Sequence, residues 1–292
     1  MRPLLVSLTV SICVLCTSAT HGQRWQDLYV PIPNSEIPCR VMKPIEIVET
    51  KKYPVILSLH GAGGRGSDNK KQLKVWNSQL AEPTIRKKFP CYVVTPQADS
   101  LWDKSDYLHI KAIINELPAI DKNRIYILGH SMGGHGTYIF LQFETDYFAA
   151  AGPSAGTGLR STKPFISANK IAHNPIWAFH GDQDGTCPFA KAQQLFDELR
   201  QIESNMKFTV WKGDKHGVSN KFILGAQNGI THLSGKACDP EPDFLTWLFS
   251  QTRVTKQPRC HAAEYFHTDS ASIVELQSLL DLLFPYIIRL PH

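Results

Sequence analysis

The chain has 292 residues, 42% of them hydrophobic and 20% charged, which suits one globular domain with tails and excludes full disorder. Its 19 glycines and 19 prolines follow no period, which excludes a collagen-like or coiled-coil chain. The net charge is +5 without a Lys/Arg-dense block or an aromatic-interleaved basic stripe, so nucleic acid is not an expected partner.

The N-terminus reads as an export signal. Arg2 precedes residues 4–16 (LLVSLTVSICVLC), an uncharged apolar run too short to span a bilayer. Small residues follow, with cleavage expected after Ala19 or Gly22. The expectation is therefore a signal peptide over 1–22 and a secreted or periplasmic mature protein with no membrane span. Cys13 and Cys16 leave with the signal, while Cys39, Cys91, Cys187, Cys238 and Cys260 remain. Their odd number leaves at least one thiol unpaired or shared between chains. No Cys or His cluster has the spacing of a structural zinc site.

Apolar runs bounded by Gly or Pro then alternate with helix-like stretches. Residues 53–59 (YPVILSL) read as a buried strand ending at His60-Gly61. Residues 91–95 (CYVVT) read as another strand, 110–117 as a helix, 124–128 (RIYIL) as a strand and 133–143 as a helix. Residues 148–151 form a short strand, 175–179 (PIWAF) a strand ending at His180-Gly181, and 189–202 an amphipathic helix. Residues 207–211 (KFTVW) read as the last strand, and 242–249 as a closing helix. This alternation predicts an α/β fold, a doubly wound and mostly parallel sheet over 23–252. Residues 253–292 form an extension of no assigned role, with helix-like amphipathicity over 270–283 and no evident chemistry. The oligomeric state is not read from the sequence.

Gly129-His130-Ser131-Met132-Gly133 matches G-x-S-x-G between a predicted strand and a predicted helix. A serine on so sharp a turn needs neighbours without side chains, and its hydroxyl is held out where a base can reach it. His60-Gly61-Ala62-Gly63-Gly64-Arg65-Gly66 follows the first strong strand. Such a loop brings a backbone N–H, of Ala62 before Gly63, toward a carbonyl oxygen, and with the Met132 N–H it makes a two-donor oxyanion hole. The loop lacks the Lys-Ser/Thr ending of a P-loop and the spacing of a dinucleotide fingerprint. In His180-Gly181-Asp182-Gln183-Asp184 two carboxylates are placed to orient an imidazole, with Asp182 also suited to a turn. Their pairing suggests a metal only if a third ligand joins them, and none is evident. His216, in Gly213-Asp214-Lys215-His216-Gly217 after the final predicted strand, is the candidate base. His173 and His232 lack that placement, and His130 and His135 flank the serine as pocket-shaping residues. The order Ser131, Asp184, His216 resembles the chain order of α/β-hydrolases.

The segments LHGAGGRG, RIYILGHSMGGHGTY, FAAAGPSAG, HGDQDGTCP and GDKHG span nearly all of 53–217. On them the chain resembles α/β-hydrolases of the esterase and peptidase group. That group is similar to the phospholipase/carboxylesterase, polyhydroxybutyrate-depolymerase-like and feruloyl-esterase-like families. The resemblance implies Ser131 as nucleophile, His216 as base and Asp184 as acid through the pattern H-G-x-x-D-x-x-V-P. Cys187 stands where that pattern has valine. It also implies that Pro96, Gln97 and Trp102 line the mouth of the site. A secreted serine hydrolase cleaving small-molecule or polymer-borne carboxylic esters, without cofactor or metal, is thus expected. A prolyl-oligopeptidase-like peptidase and a non-catalytic binding protein on the same scaffold are the alternatives. The short span from Ser131 to Asp184 already holds a strand, a loop and another strand, so little or no cap domain is expected.

Overall fold

The computed structural model describes residues 23–157 and 166–253. The expected signal peptide and nearly all of the C-terminal extension lie outside the described residues. Nine strands form one sheet: β1 (Tyr29–Pro31), β2 (Cys39–Met42), β3 (Tyr53–Leu59), β4 (Tyr92–Pro96), β5 (Ile120–His130), β6 (Ala150–Ser154), β7 (Ile176–Gly181), β8 (Met206–Trp211) and β9 (Ile230–Leu233). Their order is β1-β2-β4-β3-β5-β6-β7-β8-β9. The six from β4 to β8 in that order are parallel, while β1, β2 and β9 join antiparallel at the two ends. The helices are α1 (Val75–Leu80), α2 (Pro83–Lys88), α3 (Lys104–Glu116), α4 (Met132–Phe143), α5 (Ala168–Ile171), α6 (Phe189–Gln201) and α7 (Phe244–Ser250).

The sheet is buried on both faces, and the period-2 alternation of its strands sorts the core. Val55, Leu57 and Leu59 of β3 and Ile125 and Ile127 of β5 face a cluster completed by Tyr107, Ile110 and Ile114 of α3, Phe140 and Leu141 of α4, and the apolar stripe of α6. Ile56, Tyr126 and Leu128 face the other cluster, with Trp76 and Leu80 of α1 and Phe244, Trp247 and Leu248 of α7. The two-sided burial explains why YPVILSL is a continuous apolar run rather than an alternating one. Helix starts follow local chemistry. Asp103 and Asp106 make a reciprocal capping box on α3, Pro83 opens α2, and Asp243 accepts the Thr246 N–H on α7.

The doubly wound parallel sheet agrees with expectation, with one correction at its edge. The β8 strand is not the last, because Ile230–Leu233 pairs with it antiparallel. That edge strand is four residues long and mostly exposed, so it lacks the burial that makes a strand visible in sequence. Among the described residues only α5 stands between β6 and β7. No described helix is long and apolar enough to cross a membrane.

Candidate active site

The C-terminal ends of β3, β5, β7 and β8 carry Ala62, Ser131 with Met132, Asp184 and His216. At the end of β5 the chain turns directly into α4, and Ser131 takes φ 59° and ψ −122°. A non-glycine residue holds that conformation, at a cost of about 1–3 kcal/mol, only where its surroundings over-determine it. Here they do, since the Ser131 N–H donates to the Ser154 carbonyl at 2.9 Å and its own carbonyl accepts the His135 N–H at 2.9 Å. The turn also requires Gly129 and Gly133. A Cβ on Gly129 would lie 2.3 Å from the Gly133 carbonyl oxygen, and one on Gly133 would lie 2.1 Å from that of Leu59.

His216 reaches this serine from the loop after β8. Ser131 Oγ–H donates to His216 Nε2 at 2.8 Å, and His216 Nδ1–H donates to Asp184 Oδ2 at 2.8 Å. The two partners define the tautomer, with the proton on Nδ1. Asp184 is 5% exposed and its Oδ1 accepts the N–H groups of Thr186 and Cys187 at 2.8 and 2.9 Å. Burial alone would raise its pKa. Hydrogen bonding from His180 and His216 and from the Cys187 amide outweighs that and holds the carboxyl well below the usual range. Asp182, the other candidate acid, does not join this chain. Its Oδ1 accepts the Gly213 N–H at 2.6 Å and ties the loops after β7 and β8 together.

The loop after β3 closes the other side of the serine. A Cβ on Gly61 would lie 3.3 Å from Ser131 Cβ, so the loop backbone runs against Ser131. Ala62 opens a 3-10 turn and Met132 opens α4, so each amide stands at a helical first position with no intrahelical acceptor. His60 braces this loop from behind. Its Nδ1–H donates to the Gly61 carbonyl at 2.8 Å and its Nε2 accepts the Ala98 N–H at 3.0 Å. Burial lowers its pKa to about 4 against the opposing Gly61 bond, with Lys74 and Arg65 adding to the drop. Gln97 and Trp102, expected at the mouth, are buried supports instead. Gln97 Nε2–H donates to the Gly64 carbonyl at 3.0 Å, and Trp102 Nε1–H to the His60 carbonyl at 3.2 Å.

Three contacts were not singled out in the sequence. The His130 ring lies 5.1 Å from the His216 ring, and its Nδ1 bonds Ser154 Oγ at 3.1 Å. Burial, helped by His216, lowers its pKa to about 3, so it is neutral beside His216. The buried Cys187 thiol neighbours Ser131, and burial together with Asp184 pushes its pKa up to about 12. His180 sits against Asp184, its Nε2 3.2 Å from Oδ2. The strand-end position of HGD was the available signal for that residue, but nothing in the sequence said which way its ring turns. A separate hollow of about 610 Å³, lined by Val30, Ile32, Ile113 and Leu117 among others, contains none of these residues. Its serine, Ser35, is engaged with the Ile32 and Ile37 carbonyls. No group of His, Cys, Asp and Glu suited to a metal ion occurs among the described residues.

Residues 94–224 match the Dienelactone hydrolase family. Among solved structures, the chain is similar to a thermostable esterase, at 28% identity and a TM-score of 0.59, over 78% of this chain and 64% of that one. It is also similar in fold to an acylaminoacyl peptidase of Pyrococcus horikoshii, at 18% identity and a TM-score of 0.51, over 66% of this chain and 38% of that one. An uncharacterized secreted protein of Arthroderma benhamiae is 25% identical over 218 residues, which is 69% of this chain and 22% of that one. The chain thus spans about a fifth of the fungal protein and just under two thirds of the esterase.

Proposed function

We propose that this α/β-hydrolase is a secreted serine hydrolase that cleaves carboxylic esters, with Ser131 as nucleophile, His216 as general base and Asp184 as orienting acid. The observation that carries the reading is the unbroken chain of two 2.8 Å hydrogen bonds from Ser131 to His216 to Asp184, on a strained elbow. The match to a hydrolase family and the likeness to an esterase support the same reading. For export, support comes from residues 4–16 and from the fungal relative's description as secreted.

In the reaction Ser131 Oγ attacks the ester carbonyl carbon while its proton passes to His216 Nε2. The carbonyl oxygen becomes an oxyanion, held by the Ala62 and Met132 N–H groups, each such donor being worth about 10²–10³ in rate. Asp184 steadies the imidazolium. His216 Nε2–H then protonates the leaving alcohol oxygen as the C–O bond breaks, and the acyl group stays on Ser131. Water repeats the cycle with His216 as base and releases the acid.

A fluorophosphonate probe tests this on the purified full chain. Wild type is expected to label, and Ser131→Ala to lose labelling together with at least about 10³-fold of ester hydrolysis. A folded wild type that neither labels nor cleaves any of a panel of nitrophenyl esters overturns it. A parallel panel of blocked peptide nitroanilides separates ester from peptide hydrolysis.

A further inference from the structure

His180 ends β7, four residues before the acid, and is 1% exposed. Its Nε2–H donates to the Cys187 carbonyl at 2.8 Å. The same nitrogen lies 3.2 Å from Asp184 Oδ2, the oxygen that takes the His216 proton bond. One ring nitrogen therefore bonds the far end of the acid loop and lies within reach of the carboxylate. Residues 184–187 are closed from two sides, since Asp184 Oδ1 holds the amides of Thr186 and Cys187 while His180 holds the Cys187 carbonyl. The ring is packed edge-on against Phe189, 5.9 Å between centroids, which leaves it little freedom to turn away.

We infer that His180 is a positioning residue of the reaction: its single Nε2 proton closes the acid loop and is shared with the carboxylate that orients His216. The inference rests on the serine-hydrolase reading for its kinetic consequence. A histidine that only filled space at a strand end would be replaceable by an aromatic ring. A donor beside Asp184 Oδ2 instead spreads the carboxylate charge over two imidazoles. Without it the charge is concentrated on His216, whose imidazolium is then stabilised and titrates at higher pH. The other groups facing the Asp184–His216 pair are His130 from β5, Ser131 on the elbow and the Cys187 thiol. Asp182 and Asp214, nearby on the same loops, are engaged with the Gly213 amide and with Lys221.

The test compares full-length wild type, His180→Phe and His180→Gln, since the Gln amide nitrogen reproduces the Nε2–H donor. The His216 imidazole is titrated by NMR on ¹³C-histidine-labelled protein, with its signal assigned by loss in His216→Gln, and kcat and KM are followed across pH. In His180→Phe the His216 midpoint and the acid limb of kcat/KM are expected to rise by about half to one pH unit, with kcat down about tenfold and KM within about twofold. His180→Gln should return both toward wild type. A folded His180→Phe with the His216 titration unmoved overturns the inference. If His180→Phe does not fold, His180→Asn takes its place, because its shorter amide does not reach Asp184. Equal His216 titrations in the Asn and Gln variants then overturn it. Failure of wild type to label or hydrolyse sinks the ester reading alone, because the NMR titration reads the His180–Asp184 contact without any turnover.

Discussion

Ser131 holds a positive φ that only its two backbone hydrogen bonds and its glycine neighbours make affordable, and the hydroxyl is thereby fixed 2.8 Å from His216. Beside it, Cys187 is a nucleophile in residue type only. Its thiol is fully buried, and burial together with Asp184 pushes its pKa up to about 12, so at neutral pH it is a protonated, apolar filler next to Ser131. The residue's polar duties are done by its backbone, through the amide on Asp184 and the carbonyl on His180. Cys187→Val, which deletes the sulfur and keeps that backbone, is accordingly expected to keep ester turnover within about threefold of wild type and to fold normally. Mass spectrometry after iodoacetamide treatment checks the other half: Cys187 should be alkylated only after denaturation. Rapid native alkylation with loss of turnover would mean the thiol is open to the site.

At the scale of elements, the elbow is a meeting of β3, β5 and α4 with no space for a side chain. The Gly133 position abuts the backbone oxygens of Leu59 and His60, which cannot move aside as a flexible side chain would. Gly133→Ala is therefore expected to lose at least about 3 kcal/mol of stability and most labelling of Ser131, read by urea unfolding and by the probe. A Gly133→Ala protein of wild-type stability would show that the elbow is looser than its geometry. The same crowding explains what could be read beforehand. The buried strands and α4 were legible because two-sided burial writes long apolar runs, and Ser131 because steric demand writes glycine around it. Asp184 was legible from its place after β7, where position alone left Asp182 an equal candidate and the resemblance to H-G-x-x-D-x-x-V-P favoured Asp184; the Gly213 bond shows where Asp182 goes instead. By contrast β1, β2 and β9 are three or four residues long, and the short helices α1, α2 and α5 carry too few turns to show a period. The buried roles of Gln97 and Trp102, and the direction of the His180 ring, depend on contacts between segments far apart in sequence, which no local pattern encodes.

At the scale of the whole molecule, three buried imidazoles link stability to pH. Burial lowers His60 and His135 to about 4 and His130 to about 3, against an ordinary value of 6.5. In the unfolded chain each takes up a proton as pH falls through 6.5, whereas the folded chain resists until about 4 or lower. The unfolded state then binds more protons, so stability rises with pH in that window and is fully present above 6.5. At pH 5 the deficit is about 1.5 pH units per histidine, or about 2 kcal/mol each as an upper bound, against a total stability of about 5–15 kcal/mol. Asp184 adds to the loss only later. Its folded pKa is depressed, so its contribution is intact above the unfolded value of 3.8 and disappears as pH falls through its folded value. The urea midpoint is therefore expected to drop between pH 7 and pH 5, in the histidine range and ahead of Asp184, with a smaller opposing contribution from Asp106, whose carboxyl burial raises to about 6. His135→Gln removes one of the three titrating groups without emptying its place, and should flatten that slope by about a third. A wild-type midpoint that stays level from pH 7 to pH 5 would mean that these imidazoles accept protons in the folded chain, and the neutral state assigned to His130 beside His216 would fall with it.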